Sequence, residues 1–167
     1  PVRSSQLVKA ATQPSIDNEV RALMSEELFR FATTVEVRWR DLDAMNHVNN
    51  AVYFTYLEQA RVHYMRARGL IPDEPSGVGF ILAEASCQYR SPLTLGERAT
   101  IRIRVSNLGR SSFAFAYRIE GQDGRLVAEA KSTQVCFDYD EGRSVPLSDA
   151  WRQAILTFEP GLSSQTA

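Results

Sequence analysis

The sequence lacks the features that mark disulfide scaffolds, membrane-spanning chains and nucleic-acid-binding proteins. It has two cysteines in 167 residues, Cys87 and Cys136, which excludes a disulfide framework. No run reaches the roughly 18 consecutive apolar residues of a membrane span, and residues 1–12 lack the apolar stretch of a secretory signal. Nineteen basic and twenty acidic residues nearly cancel, so we expect no basic surface for nucleic acid or an anionic membrane. These absences predict a cytoplasmic protein with free thiols.

What remains is the composition of one globular domain with an N-terminal extension. Hydrophobic residues make up 44% of the chain and charged residues 23%, which argues against disorder. Residues 1–30 divide into a polar arm, up to residue 14, and a short predicted helix. The apolar positions of that helix are Ile16, Val20, Leu23 and Met24. We assign residues 31–167 to a single domain that ends in a helix.

Hydrophobic periodicity predicts one long helix among several strands. Its N-cap is Asn49 or Asn50, and Gly69 stands where a helix-terminating glycine belongs. The predicted apolar face contains Tyr53, Tyr56, Leu57, Ala60, Tyr64 and Ala67. Alternating segments predict strands at residues 31–40, 80–89, 100–106, 112–120 and 126–138, and a last helix opens at 146–149.

This order of elements predicts an α+β fold. A strand, a long helix and then a series of hairpin-connected strands favour an antiparallel sheet that covers the helix. One helix covers only one face of so large a sheet, which leaves another face or an edge unburied. We therefore expect a homo-oligomer in which a second copy covers that surface.

The loop from Asp41 to Asn50 is the densest polar segment and precedes the long helix. The first N–H groups of a helix are unpaired and carry partial positive charge, so they can polarise a carbonyl group. A carboxylate held nearby can act as a general base on water, or attack the carbonyl directly. We take Asp43 as that carboxylate and the Asn50 amide as the polarising donor. The alternative is that Asp41 and Asp43 only close the loop as Asx turns.

Several stretches together resemble a known enzyme family. The matching segments are 41–53 (DLDAMNHVNNAVY), 56–61 (YLEQAR), Glu84 with 88–92 (QYRSP) and 96–97 (GE), 108–112 (LGRSS) and 142–146 (GRSVP). They resemble the hotdog-fold acyl-CoA thioesterases, in particular the 4-hydroxybenzoyl-CoA thioesterase-like branch. The resemblance covers about residues 35–146.

That resemblance implies a fold, an activity and an assembly. In the hotdog fold an antiparallel sheet wraps around one long central helix, and the chains form dimers or tetramers with active sites at the dimer interface. The implied reaction hydrolyses an acyl-CoA thioester to a free carboxylic acid and CoA. No cofactor is implied other than the CoA of the substrate, and neither nucleic acid nor a membrane is expected as a partner.

Two residues of the loop match the family's catalytic positions. Asp43 matches the aspartate that acts as nucleophile or base, and Asn50 matches the helix-start residue whose amide polarises the thioester carbonyl. One departure is Asn46, where many members carry glycine, so the geometry of the loop before His47 is open to difference.

The resemblance also suggests where CoA is bound. Arg110, Ser111 and Ser112 match a turn that contacts pantetheine and phosphate, and Arg90 is a second candidate. These arginines could equally be surface residues that solvate a turn. Tyr53, with Tyr56 and Phe80, is a candidate for an acyl pocket, although filling the core is the default role of such side chains.

Two further residues keep alternative mechanisms open. Some hotdog thioesterases use a carboxylate on the long helix, and Glu58 could fill that role, or else pair with Arg61 or Arg38. His47 could act as a general base, and an Asp–His pair would also suit hydration of an enoyl thioester. We favour a structural role for His47, because the hydratase-type motif has a proline before its histidine.

Two alternative functions are compatible with the sequence. A hotdog hydratase or dehydratase is the enzymatic alternative to hydrolysis. A protein that binds acyl-CoA without turning it over is the non-catalytic one. No metal is expected, because the two histidines and two cysteines have no ligand spacing.

Overall fold

From residue 31 onward the described residues form an antiparallel sheet with two helices, and the predicted α+β class is confirmed. The computed structural model describes residues 28–71, 77–159 and 161–162. The arm and the short helix expected before residue 28 lie outside the described residues. The strands are β1 (Phe31–Glu36), β2 (Val78–Tyr89), β3 (Arg98–Leu108), β4 (Ser112–Glu120), β5 (Leu126–Asp138) and β6 (Arg143–Ser144), and the helices are α1 (Asn50–Ala67) and α2 (Asp149–Phe158).

The order of the strands leaves β1 and β2 at the two ends of the sheet. The path runs β1-β3-β4-β5-β2, and the short β6 pairs with β5. Every pairing is antiparallel. The Asp123-Gly124 turn that joins β4 to β5 has Gly124 at φ 79°, a left-handed conformation that costs glycine nothing.

Helix α1 packs its aromatic face onto the sheet. Asn49 is the N-cap, because its side chain accepts a 2.9 Å hydrogen bond from the Ala51 N–H. The ring of Tyr64 contacts Phe31 of β1 and Phe115 of β4 edge to face, at centroid distances of 5.5 and 5.2 Å. These contacts fix the helix across the first half of the sheet.

The buried face of α1 differs from the predicted one at its C-terminal end. Ala67 is exposed, whereas Met65 and the charged Arg61 are buried. Arg61 is tolerated there because its guanidinium donates to the Tyr117 hydroxyl and its aliphatic stem packs in the interior. Periodicity alone assigns such a residue to the wrong face.

Two strand predictions need correction. The first strand ends at Glu36 rather than at residue 40, because a 3₁₀ turn (Trp39–Asp41) follows it. In β2 the predicted alternation is interrupted by a bulge between Leu82 and Glu84. The extra residue there, Ala83, switches the faces, so that Phe80 packs on Phe113 before the bulge and Cys87 packs on the core after it.

The 3₁₀ turn contains a buried carboxylate that joins it to α1. Asp41 is 3% exposed and accepts hydrogen bonds from the Arg38 backbone and guanidinium and, at 2.7 Å, from the Tyr56 hydroxyl. Burial alone would raise the pKa of Asp41, but these hydrogen bonds outweigh it and hold the pKa below its usual range. The expectation that Asp41 closes an Asx turn is replaced by this tie between the turn and the helix.

Helix α2 is capped by Ser148, whose hydroxyl accepts from the Trp151 N–H at 3.2 Å. The residue after it, Glu159, is buried and accepts hydrogen bonds from the Tyr64 hydroxyl and the Val105 N–H. Burial raises the pKa of Glu159. This carboxyl group ties α2 to α1 and β3.

Two further observations bear on the sequence expectations. Cys87 and Cys136 are both free, and Cys136 is fully buried. Among the described residues, neither helix is long and apolar enough to cross a membrane.

The tie at Asp41 predicts an acid-dependent loss of stability. A carboxyl group with a lowered pKa in the folded state stabilises the protein above its unfolded pKa of about 4, and this contribution is lost as the pH falls through the folded value. We expect Asp41→Asn to lower the free energy of unfolding at pH 7 by about 2 kcal/mol. The difference between the wild type and the variant should shrink below about pH 4.

Urea unfolding at pH 7, 5, 4 and 3 measures this difference. Asp123→Asn is the matched control, since Asp123 also pairs with an arginine but is 58% exposed, and such surface pairs contribute about 0–1 kcal/mol. A loss in Asp41→Asn that is no larger than in the control would contradict the assignment.

Candidate active site

The loop before α1 is closed by a carboxylate. Leu42 and Val48 form an isolated antiparallel bridge, and inside it the Asp43 N–H donates to the His47 carbonyl at 2.8 Å. Oδ1 of Asp43 accepts from the N–H groups of Met45 (2.8 Å) and His47 (3.2 Å). In the described part of the chain Oδ2 accepts no hydrogen bond. Asp43 therefore forms the Asx turn that was considered as an alternative, while one oxygen remains available for chemistry.

The departure at Asn46 has a conformational explanation. Its φ is 61°, which makes it the one non-glycine residue with positive φ in the described ranges. Asparagine tolerates this left-handed conformation better than most residues with a side chain. Asn46 thus adopts a backbone geometry that glycine would also adopt, and the change of residue does not require a different loop.

The start of α1 presents one unused donor. The N–H of Ala51 donates to the Asn49 side chain, and that of Val52 donates to the Asn49 carbonyl, each at 2.9 Å. The Asn50 N–H has no acceptor among the described residues. Because the first N–H groups of a helix carry partial positive charge, this donor can stabilise a developing oxyanion.

Asp43 and Asn50 border the same cavity, which has a volume of about 370 Å³. The other residues that line it are His47, Val48, Tyr53, Tyr89, Arg90, Ser91 and Pro92. Five residues predicted from the sequence therefore lie together: Asp43, His47, Asn50, Tyr53 and Arg90. His47 itself is exposed and contributes its backbone to the loop.

The cavity's inner wall is aromatic. Tyr53 is 3% exposed, and burial raises its pKa to about 12. The ring of Tyr89 meets that of Tyr53 edge to face at 5.0 Å, and its hydroxyl donates to the Asn50 carbonyl at 2.9 Å. Tyr89 was not identified as a site residue from the sequence. Its place at the end of an alternating strand gave no signal that it would reach the helix start.

The two arginine candidates for phosphate binding lie in different places. Arg90 borders the Asp43 cavity, but its guanidinium already donates to Glu129 at 3.0 Å and Gln88 at 2.7 Å. Arg110 and Ser111 border a separate cleft of about 280 Å³, together with Arg143 and three residues after it.

The cleft lies at the far end of the sheet from Asp43. The Arg110 turn follows the end of β3, whereas the Asp43 loop contacts the chain just before the start of β3 through the bond from the Val48 N–H to the Leu93 carbonyl. A strand of 11 residues separates the two, roughly 33 Å at about 3.3 Å per residue. Ser112, the third candidate, is the first residue of β4 at this far end.

Glu58 is not brought to the cavity within one chain. It lies on the exposed side of α1. The arginines considered as its partners are engaged elsewhere, Arg38 with Asp41 and Arg61 with Tyr117. In the described part of the chain, Glu58 forms no ion pair.

The chemistry available to this arrangement is that of a carboxylate and a backbone N–H group. Among the described residues, no three His, Cys, Asp or Glu side chains are grouped so that they could hold a metal ion. Asp43, Asn50 and Tyr53 line one cavity, and within the described residues Asp43 has a carboxylate oxygen without a hydrogen bond and Asn50 an N–H without an acceptor. Such a pair can activate water or attack a carbonyl carbon while the carbonyl oxygen is stabilised.

Comparisons with known proteins identify the family. Residues 37–155 match the model of the thioesterase-like superfamily. The long-chain acyl-CoA thioesterase FadM of Escherichia coli is 28% identical over 74% of this chain and 95% of its own length. The chloroplastic acyl-acyl carrier protein thioesterase ATL2 of Arabidopsis thaliana is 34% identical over 62% of this chain and 57% of its own length.

A solved structure is similar over most of its length. The crystal structure of a thioesterase from Thermus thermophilus, complexed with coenzyme A and Zn, is 34% identical, with a TM-score of 0.68 over 76% of this chain and 98% of that one. The chain therefore belongs to the thioesterase-like superfamily and is a hotdog-fold thioester hydrolase, as its sequence resemblance implied.

Proposed function

We propose that the chain hydrolyses acyl-CoA thioesters to a free carboxylic acid and CoA, with Asp43 as nucleophile or general base. The observation that carries this proposal is the convergence of Asp43 and the unpaired Asn50 N–H on one cavity. Names of relatives support CoA as the thiol, since FadM is an acyl-CoA thioesterase. The reaction as proposed needs no cofactor other than the CoA of the substrate.

The chemistry follows from how Asp43 is held. Two backbone N–H groups donate to its Oδ1 and restrict rotation of the side chain, so Oδ2 is held in a fixed position. When a thioester carbonyl accepts from the Asn50 N–H, negative charge that develops on its oxygen is stabilised. In one route Asp43 attacks the carbonyl carbon, the C–S bond breaks so that CoA leaves as a thiolate and takes up a proton, and water then hydrolyses the anhydride to the free acid. In the other route Asp43 takes a proton from a water that attacks the same carbon, and the C–S bond breaks as the departing sulfur is protonated.

Replacing the carboxylate tests the role of Asp43. We expect Asp43→Asn to lower kcat for thiol release about 10²–10⁴-fold, because an amide is neither a base nor a nucleophile here. Acyl-CoA binding should persist, because asparagine still accepts the two backbone hydrogen bonds. Thiol release across an acyl chain-length series and calorimetric binding measure the two effects.

Asp138→Asn is the matched control. Oδ1 of Asp138 also accepts hydrogen bonds from two backbone N–H groups, those of Asp140 and Glu141, each at 2.9 Å. Asp138 is the last residue of β5 and does not border the Asp43 cavity. Full turnover in Asp43→Asn would transfer the carboxylate role to Glu58. If the wild type releases no thiol, a binding protein is favoured, and loss of enoyl-CoA absorbance would favour a hydratase.

We further propose that the active form is a homodimer or a larger homo-oligomer. Strand β2 is 12 residues long and lies at one end of the sheet order, with Leu82 half exposed on it. Among the described strands β2 pairs with β5 alone, and an edge strand of this length can pair with another chain. Two copies related by a twofold axis would pair their β2 edges antiparallel, so opposite ends of the two sheets would lie side by side.

Antiparallel pairing would place the Arg110 cleft of one copy beside the Asp43 cavity of the other. Arg110 and Arg143, the latter paired with Glu141, offer two guanidinium groups, which suit the phosphates of CoA. In this arrangement each site takes its carboxylate from one copy and its phosphate contacts from the other. The separation of about 33 Å along β3, at about 3.3 Å per residue, argues against both contacts coming from one chain.

Subunit mixing tests this shared site. Arg110→Ala alone should raise KM for acyl-CoA about tenfold, a loss of about 1.4 kcal/mol. Co-expression of Arg110→Ala with Asp43→Asn should restore activity, because random pairing leaves roughly a quarter of all sites with both wild-type residues. Each variant carries a different affinity tag, so that dimers containing one chain of each can be purified. Their kcat/KM is then compared with that of each variant alone.

Arg66→Ala mixed with Asp43→Asn is the control, since Arg66 is exposed in the last turn of α1. Activity in the Arg110 mixture that does not exceed the sum of its parents would show that each chain supplies both residues itself.

A further inference from the structure

The end of β2 is joined to the beginning of α1 by a tyrosine. The Tyr89 hydroxyl donates to the Asn50 carbonyl oxygen at 2.9 Å, and both residues border the cavity that contains Asp43. Tyr89 is 44% exposed, which is unusual for a side chain whose ring packs on a buried one, here Tyr53. Tyr89 therefore contacts both Asn50 and Tyr53 while it also borders the cavity.

The strand end that carries Tyr89 is held firmly to β5. The N–H groups of Arg90 and Ser91 both donate to the Val127 carbonyl, at 2.8 and 3.2 Å. The Ser91 hydroxyl donates to the Leu126 carbonyl at 2.8 Å. Three hydrogen bonds to β5 thus fix the backbone immediately after Tyr89, so its hydroxyl extends from a rigid position.

The first turn of α1 has few other attachments. The Asn49 side chain caps it locally at Ala51, and the Asn49 N–H donates to the Asp41 carbonyl at 2.9 Å. Within the described ranges, Tyr89 is the one side chain that crosses from the sheet to a backbone atom of this turn. Besides the packing of the buried Tyr53 ring, the Tyr89 hydroxyl therefore gives the backbone of Asn50 a direct bond to the sheet.

We propose that Tyr89 is a positioning residue for thioester hydrolysis, which holds the backbone of Asn50 through its carbonyl group so that the N–H of the same residue meets the substrate carbonyl opposite Asp43. This inference rests on the proposed function. Displacing an oriented group by about 1 Å can cost about 10²-fold in rate. Tyr89 acts on the transition state through Asn50, so its loss should lower kcat and leave KM nearly unchanged.

Tyr89→Phe separates this role from packing. Phenylalanine keeps the ring contact with Tyr53 and removes the hydrogen bond. Tyr139→Phe is the matched control, because Tyr139 is 58% exposed and follows the opposite end of β5, where its hydroxyl forms no hydrogen bond within the described residues.

The kinetic measurement is kcat and KM for one acyl-CoA at saturating and limiting concentrations. We expect kcat about tenfold lower in Tyr89→Phe, with KM within about twofold of the wild type. Thermal unfolding should match that of the control. A kcat equal to that of the control would overturn the inference, and so would an effect confined to KM.

A second measurement does not depend on turnover. The Asn50 carbonyl belongs to the same peptide group as the Ala51 nitrogen, so losing the phenol donor should shift the Ala51 ¹⁵N resonance in Tyr89→Phe and not in Tyr139→Phe. An unshifted Ala51 signal would overturn the inference whatever the activity. If the wild type releases no thiol, the proposed function is wrong. If the wild type is active and Tyr89→Phe has the same kcat, only the positioning role of Tyr89 is wrong.

Discussion

The carboxylate of Asp41 determines where α1 begins, and the candidate site depends on that point. Its side chain joins the 3₁₀ turn to Tyr56 in the second turn of the helix, while its carbonyl accepts from the Asn49 N–H at 2.9 Å. Both ends of the loop are thereby fixed to one residue. The Asn50 N–H and Asp43 take their places as consequences of this anchor.

Two aspartates two residues apart have opposite roles because their hydrogen bonds differ. Both oxygens of Asp41 are bonded, to Arg38 and Tyr56, and the group is 3% exposed. Such a carboxylate is stabilised as an anion and has little capacity left to accept a proton or attack carbon. Asp43 uses one oxygen for the loop and leaves the other open to the cavity. The arrangement therefore assigns structure to Asp41 and favours chemistry at Asp43.

The sequence predicted features that arise from local patterns. Asn49 and Gly69 mark the ends of α1, and β4 and β5 have the bounds that their alternation indicated. The sequence did not predict the bulge at Ala83. Apolar and polar residues still follow one another on both sides of the inserted residue, so the pattern does not mark where the faces switch. Nor did it place Arg61 inside, because burial of a charged side chain depends on a distant hydroxyl group.

In the candidate site, too, local features could be predicted from the sequence and contacts between distant segments could not. Asp43 and Asn50 are seven residues apart, so spacing and a helix start were enough to suggest that they converge. Tyr89 is 39 residues from Asn50, and the contact between them depends on how the sheet folds back over the helix. Contacts that bridge distant segments follow from tertiary packing, which no single stretch of sequence specifies.

The separation of the Asp43 cavity and the Arg110 cleft gives the proposed oligomer a chemical reason beyond stability. An acyl-CoA has a thioester at one end and phosphates at the other, so its binding site must offer both a carbonyl-polarising group and cations. One chain holds these groups about 33 Å apart along β3, by about 3.3 Å per residue. Antiparallel pairing of two β2 edges reverses one sheet relative to the other, and so places the two kinds of group side by side. In the proposed oligomer the edge strand β2 would therefore both join the two copies and complete each active site.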